Sequence, residues 1–151
     1  LKDNVAYIKD LKRLGYNVYI LSNIPEDDTK YLRSCGVFDN IDGGVFSYEY
    51  KKIKPDPEIF HILLKKYDLK ASECLFLDDR KDNVVAASNL GFETIEVNRE
   101  DIGLLRLRTV GIKNQTAKEI ENPKGEDGKY LPNVVLDLDY TVVIPKKKTQ
   151  K

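Results

Sequence analysis

Short apolar runs rich in β-formers recur along this chain, and segments with helical spacing separate most of them. Val18-Tyr19-Ile20-Leu21, Leu75-Phe76-Leu77, Thr94 to Val97 and Val134-Val135-Leu136 are the clearest runs. The uniformly apolar ones, such as Val18 to Leu21, fit strands buried on both faces, and Thr94 to Val97 reads simply as another strand. A fifth, shorter run, Val45-Phe46-Ser47, reads as a short strand after a Gly43-Gly44 turn. Between the runs, Val5, Ile8, Leu11 and Leu14 fall at helical spacing before Gly15, a helix-stop signal. Asp27 to Ser34 predicts a second helix, stopped by Gly36. Pro55 and Pro57 mark the start of a helix over Glu58 to Tyr67, and Asn83 to Leu90 predicts another, capped by Gly91. Strands alternating with helices in this way predict an α/β fold, with a mainly parallel sheet covered by helices on both faces.

The chain's 151 residues are enough for one domain with one real core. Lys+Arg and Asp+Glu both total 25, so charge provides no argument for a nucleic-acid or membrane partner. Cys35 and Cys74 lack metal-type spacing and are expected to be reduced thiols in or near the core. No apolar run approaches the roughly 20 residues that span a bilayer, and the N-terminus reads as an amphipathic stretch rather than a leader. The expectation is a soluble, cytoplasmic protein.

Composition changes after Gly111. Lys113 to Pro132 is polar, with Gly125, Gly128, Pro123 and Pro132, and reads as a long surface connection carrying one short helix near Thr116 to Ile120. Another helix is expected over Ile102 to Leu107. Lys146 to Lys151 reads as a frayed, solvated tail. His61, the sole histidine, sits on a helix away from any strand end and is expected to be structural. Tyr48 and Tyr50 either line a site or pack.

Most of the strands stop at residues capable of chemistry. Ser22 and Asn23 follow the first, Asp78 and Asp79 the third, and Asp137 and Asp139 the last. In open parallel sheets ligands bind beyond the carboxyl ends of strands, so residues distant in sequence can share one crevice. Four carboxylates there would repel one another unless a cation lay among them. Oxygen ligands without His or Cys favour Mg²⁺, which also neutralises charge in phosphoryl transfer. Ser22 supplies a hydroxyl and Lys54 a positive charge, one carboxylate can be a nucleophile, and a second can serve as acid and base. Taken singly, each feature has a plainer reading: a helix N-cap, a surface lysine or a turn. Their joint occurrence at successive strand ends outweighs those readings.

Together these residues resemble the haloacid dehalogenase (HAD) superfamily of phosphohydrolases, in its sugar-phosphatase-like branch. Val134-Val-Leu-Asp-Leu-Asp-Tyr-Thr141 is similar to that family's nucleophile loop. Tyr19-Ile-Leu-Ser-Asn23, Lys54-Pro-Asp-Pro-Glu-Ile-Phe60 and Leu75-Phe-Leu-Asp-Asp-Arg-Lys-Asp-Asn83 are similar to the other three signatures. The resemblance implies a Rossmann-like three-layer sandwich. It also implies Asp137 as the nucleophile that becomes an aspartyl-phosphate, and Asp139 as the acid and base. Ser22 and Lys54 would hold the phosphoryl group, with Asn23 nearby, and Thr141 would hold the nucleophile loop. Mg²⁺ would rest on Asp79, Asp137 and the backbone carbonyl of Asp139, with Asp78 in support and Asn83 steadying the metal loop. The dehalogenases of the superfamily lack the second aspartate, so Asp139 favours phosphate esters.

The order of the signatures departs from the family. Its nucleophile strand comes first in the chain, whereas here it comes last. The chain is therefore expected to be a circularly permuted core. Residues 1–110 would form the body, 111–133 the connection, 134–141 the nucleophile strand and loop, and 142–151 the tail. The alternative is that the last signature opens a second, truncated unit that acts in another chain. In the permuted arrangement the strand over 134 to 139 lies between those ending at Ser22 and Asp78. No cap domain is expected, which points to phosphoprotein substrates, or to a cap supplied by a partner or oligomer; a phosphorylated small molecule remains the other substrate class. Competing with a phosphatase are a catalytically weak binding module of the same fold and a dehalogenase-type hydrolase.

Overall fold

The computed structural model describes residues 2–13, 15–97 and 133–137. The helices expected over Ile102 to Leu107 and Thr116 to Ile120, the polar connection, Leu14, Asp139, Thr141 and the tail lie outside the described residues. The elements run α1 (Lys2–Arg13), β1 (Asn17–Ser22), α2 (Glu26–Ser34), β2 (Gly43–Phe46), α3 (Ser47–Tyr50), α4 (Pro57–Lys66), a 3-10 turn (Ala71–Glu73), β3 (Cys74–Asp78), α5 (Lys81–Asn89), β4 (Glu93–Glu96) and β5 (Asn133–Leu136).

All four strand pairings are parallel, and the order across the sheet is β2-β1-β5-β3-β4. The last strand among the described residues, β5, thus occupies the centre of the sheet, between β1 and β3, as expected. Val134 is level with Val18 on one side and Leu75 on the other, and Leu136 with Ile20 and Leu77. The polar residues that follow those strands are consequently brought to one edge at nearly one height.

Strand alternation splits the core between two faces. Val18, Ile20, Leu75, Leu77, Val134 and Leu136 meet Ile8 and Leu11 of α1 and Leu32 of α2. Tyr19, Leu21, Phe76 and Val135 meet Ile59, Phe60 and Leu63 of α4 and Ala87 of α5. The result is the three-layer α/β/α arrangement. Each of the Val, Leu, Ile and Phe side chains among them contributes about 1.5–3 kcal/mol by leaving water. Phe60, Phe76 and Phe92 interlock edge-to-face, with centroids 5.4 to 6.1 Å apart.

Local signals explain where helices begin and end. The Asp56 side chain accepts the Glu58 N–H at 2.9 Å, Pro57 occupies the first turn of α4, and Lys65 and Lys66 occupy the last. Gly36 and Gly91 take positive φ (75° and 97°) just past α2 and α5, the backbone state that glycine enters without steric penalty.

Three expectations need correction. Gly43 and Gly44 form part of β2 rather than a turn before it. The Tyr67 ring lies against the Gly43 Cα, so any side chain there would collide with it, and the Tyr67 hydroxyl bonds both the Gly44 N–H (2.7 Å) and the Gly44 carbonyl (2.9 Å). A close approach, not a reversal, is what requires the glycine. Ser47 begins α3 instead of ending a strand. Cys35 is exposed, whereas Cys74 is buried as expected; burial pushes the Cys74 thiol up to about 12. His61 is exposed on α4. Tyr48 stacks on Phe46, and Tyr50 lies under the Lys66 ammonium, so both tyrosines pack. Among the described residues no helix is long and apolar enough to cross a membrane.

Candidate active site

The registers of β1, β5 and β3 carry Ser22, Asp137 and Asp78 to adjacent strand ends. Asp137 continues the β5 ladder, its N–H donating to the Leu77 carbonyl at 3.1 Å. Asp78 ends β3, and its carbonyl accepts from Val97 at 3.0 Å. Neither aspartate is free to drift, because the same ladders that build the sheet fix its backbone.

Lys54 joins the two. Its ammonium donates to Asp78 Oδ2 and to Asp137 Oδ1, both at 2.8 Å. The lysine is 3% exposed, Asp78 0% and Asp137 4%, so water screens these charges weakly. The ammonium also lies 5.7 Å from the Phe76 ring centroid, over the aromatic layer of the core. Asp78 is held further by the Asn83 amide at Oδ2 (3.1 Å) and by the Arg80 N–H at Oδ1 (2.9 Å).

Asp78, Asp79 and Asp137 each offer a carboxylate oxygen, and these three oxygens lie within 4.8 Å of one another. Two ligand oxygens on opposite sides of Mg²⁺ are about 4.2 Å apart, given bonds of about 2.1 Å. The donor set is therefore hard and nearly tight enough. Within this group of four side chains the carboxylates outnumber the ammonium by two, a surplus that a dication balances. Asp79 is half-buried and the other two are buried, which gives the group one more accessible ligand.

Ser22 Oγ is buried and has no hydrogen-bond partner among the described residues, and neither has Asn83 Oδ1. A buried hydroxyl without a partner is uncommon and costly, and it suits a site that completes itself with a ligand. The Asn23 side chain turns to the backbone of Lys54: its Oδ1 accepts the Lys54 N–H at 2.8 Å, and its Nδ2 donates to the Lys54 carbonyl at 3.1 Å.

The structure thus gathers Ser22, Lys54, Asp78, Asp79, Asn83 and Asp137, with Asn23 behind Lys54. Asp139 and Thr141 lie outside the described residues. Ser47 did not stand out in the sequence as part of this region. Its hydroxyl accepts the Ile24 N–H at 2.8 Å and donates to the Ile24 carbonyl at 3.2 Å, pinning the loop after Asn23. The signal was present, since Ser47 is also a polar residue closing an apolar run. The roles of Phe76 and the Arg80 N–H left no such signal.

Comparison with known proteins is consistent with this geometry. Residues 1–91 match the profile of the haloacid dehalogenase-like hydrolases. A sesquiterpene phosphatase of Aspergillus oryzae is 35% identical over 87 residues, covering 57% of this chain and 44% of that protein. A HAD family enzyme of Bacteroides thetaiotaomicron, solved as an Asp-to-Ala variant with magnesium and inorganic phosphate, is 31% identical with a TM-score of 0.53, covering 60% of this chain and 49% of that one. A dehalogenase solved with an intermediate complex shares the fold at a TM-score of 0.60 and 22% identity, over 89% of this chain and 51% of its own. This chain spans about half or less of the length of the curated relatives it matches. The profile match covers more than half of the chain and includes Ser22, Lys54, Asp78 and Asp79, so the chain belongs to the haloacid dehalogenase-like hydrolase family.

Proposed function

We propose that this chain is a Mg²⁺-dependent phosphatase of phosphate monoesters, with Asp137 as its nucleophile. The observation that carries the reading is the Lys54 ammonium held between Asp137 and Asp78 at 2.8 Å from each. It places a fixed positive charge beside the attacking carboxylate, where negative oxygens of a phosphoryl group would gather.

A carboxylate oxygen of Asp137 attacks phosphorus, and the bond from phosphorus to the ester oxygen breaks. Asp139 gives its proton to that departing oxygen. The resulting aspartyl-phosphate is cleaved by water, from which Asp139 takes a proton, and phosphate leaves. Lys54 and the Ser22 hydroxyl hold the phosphoryl oxygens throughout. Asp79 and Asp137, with Asp78 in support, would hold Mg²⁺, which when bound neutralises charge on the phosphate. The roles of Asp139 and Thr141 rest on the sequence resemblance, as does the Asp139 carbonyl as a metal ligand.

The position of β5 between β1 and β3 supports a permuted core in which the nucleophile strand closes the sheet from the C-terminal side. The small-molecule chemistry of the phosphatase relatives supports a phosphorylated small molecule as substrate.

Hydrolysis of an aryl phosphate tests the reading. Turnover is expected with Mg²⁺ and lost with a chelator. Absence of turnover under both conditions, or halide release from a 2-haloacid without phosphate release, would overturn it.

A further inference from the structure

We infer that Asn23 is a positioning residue for Lys54 rather than a contact to substrate. The inference rests on the phosphatase reading only for its kinetic consequence; its structural content stands apart.

Lys54 sits in the loop between α3 and α4, outside any strand. A loop lysine has a flexible four-carbon stem, and confining its ammonium costs rotamer freedom. The two carboxylates fix only the far end. The near end is fixed by Asn23, whose side-chain amide bonds both backbone polar groups of Lys54, accepting from its N–H at 2.8 Å and donating to its carbonyl at 3.1 Å. This pairing imitates one rung of a sheet and ties the loop to the end of β1.

Asn23 is itself held. Ser22 before it closes β1, paired with β2 and close to the site. Ile24 after it is locked through both its N–H and its carbonyl by the Ser47 hydroxyl, at 2.8 and 3.2 Å. Asn23 therefore hangs between two fixed backbone points, and its amide transmits the position of β1 to Lys54. The lysine thereby takes its place from the strand beside Asp137 instead of from its own loop. An amide engaged on both backbone groups of Lys54 is poorly placed to serve the substrate as well.

Two measurements test this. The first is the structure of Asn23→Ala. The expected result is a Lys54 ammonium displaced beyond about 3.2 Å, the usual hydrogen-bond range, from at least one of Asp78 and Asp137. An ammonium that keeps both contacts overturns the inference. This readout needs no turnover, so a wild-type chain without phosphatase activity would defeat the proposed function and leave this result standing. The second is a double-mutant cycle on an active wild type. Asn23→Ala is expected to lower kcat about 10- to 100-fold with KM changed less than about 3-fold, as small misplacements of a catalytic group do. In a Lys54→Met background the same change is expected to cost less than about 2-fold, because its target is gone. Equal losses in both backgrounds, or a loss confined to KM, overturn it. If Asn23→Ala fails to fold, Asn23→Asp serves in both measurements. It keeps the oxygen that accepts the Lys54 N–H, and the same coupling to Lys54 is expected at smaller size.

Discussion

Lys54 and Asp137 are 83 residues apart in the chain, yet their Nζ and Oδ1 atoms are 2.8 Å apart in the interior of the site. The contact closes only because β5 enters the middle of the sheet. Fold and chemistry are thus coupled through one ion pair.

Removing the ammonium leaves Asp78 and Asp137 buried against each other. Lys54→Met is expected to lose about 3–5 kcal/mol of stability, the cost of breaking a buried pair by deleting one partner. Mg²⁺ should restore part of that loss in the variant, because a dication takes over the neutralising role. Urea unfolding with and without Mg²⁺ checks both statements, and turnover should fall about 100- to 1,000-fold.

Ser22 predicts the opposite pattern. Its hydroxyl is buried without a partner among the described residues, so Ser22→Ala breaks no internal bond there. Stability should change by less than about 1 kcal/mol. The stabilisation that inorganic phosphate gives in a thermal melt should shrink in the variant. An unchanged phosphate shift would remove Ser22 from the binding role.

Asn133 staples β5 at the end opposite Asp137. It accepts from the Asn17 amide at 3.1 Å and donates to the Glu73 carbonyl at 3.3 Å, one neighbour on each side. Asn133→Val should cost about 1–3 kcal/mol through the two part-buried hydrogen bonds it removes. In the wild type, the amides of Val134 to Leu136 should exchange with deuterium as slowly as those of Val18 to Leu21. Protection that falls with dilution would mean that β5 comes from a second chain.

The thiols should separate cleanly. Cys35 is exposed and should react with an aromatic disulfide reagent in the native protein, while Cys74 should not. The Cys74 thiol is raised by burial from its ordinary value of 9.0 to about 12. Between those values the folded state keeps a proton that the unfolded chain releases. Its contribution is complete below pH 9 and declines as pH rises toward 12. Cys74→Ala should show a shallower loss of stability over that window in urea unfolding.

Much of this arrangement was readable in the residues. Val18 to Leu21, Leu75 to Leu77 and Val134 to Leu136 announced buried strands, and the polar groups after them marked one edge of the sheet. The place of β5 between β1 and β3 followed from matching Asp137 to the other signatures. Contacts between distant side chains were not readable. Tyr67 packing on Gly43 turned an apparent turn into a strand, and nothing in the sequence near Gly43 announces Tyr67. The same holds for Asn23. Its position after Ser22 put it near the phosphoryl group, and nothing there announces that its amide meets the Lys54 backbone 31 residues away. Exposure of Cys35 likewise depends on which face of the α2 terminus meets solvent.

The central claim concerns Asp137, and exchanging one oxygen for an amide tests it most directly. Aryl phosphate hydrolysis should be measured with Mg²⁺ for the wild type and for Asp137→Asn at equal folded concentration. The account predicts turnover in the wild type and none above background in the variant, since the amide cannot attack phosphorus. Equal turnover in the two proteins would contradict it.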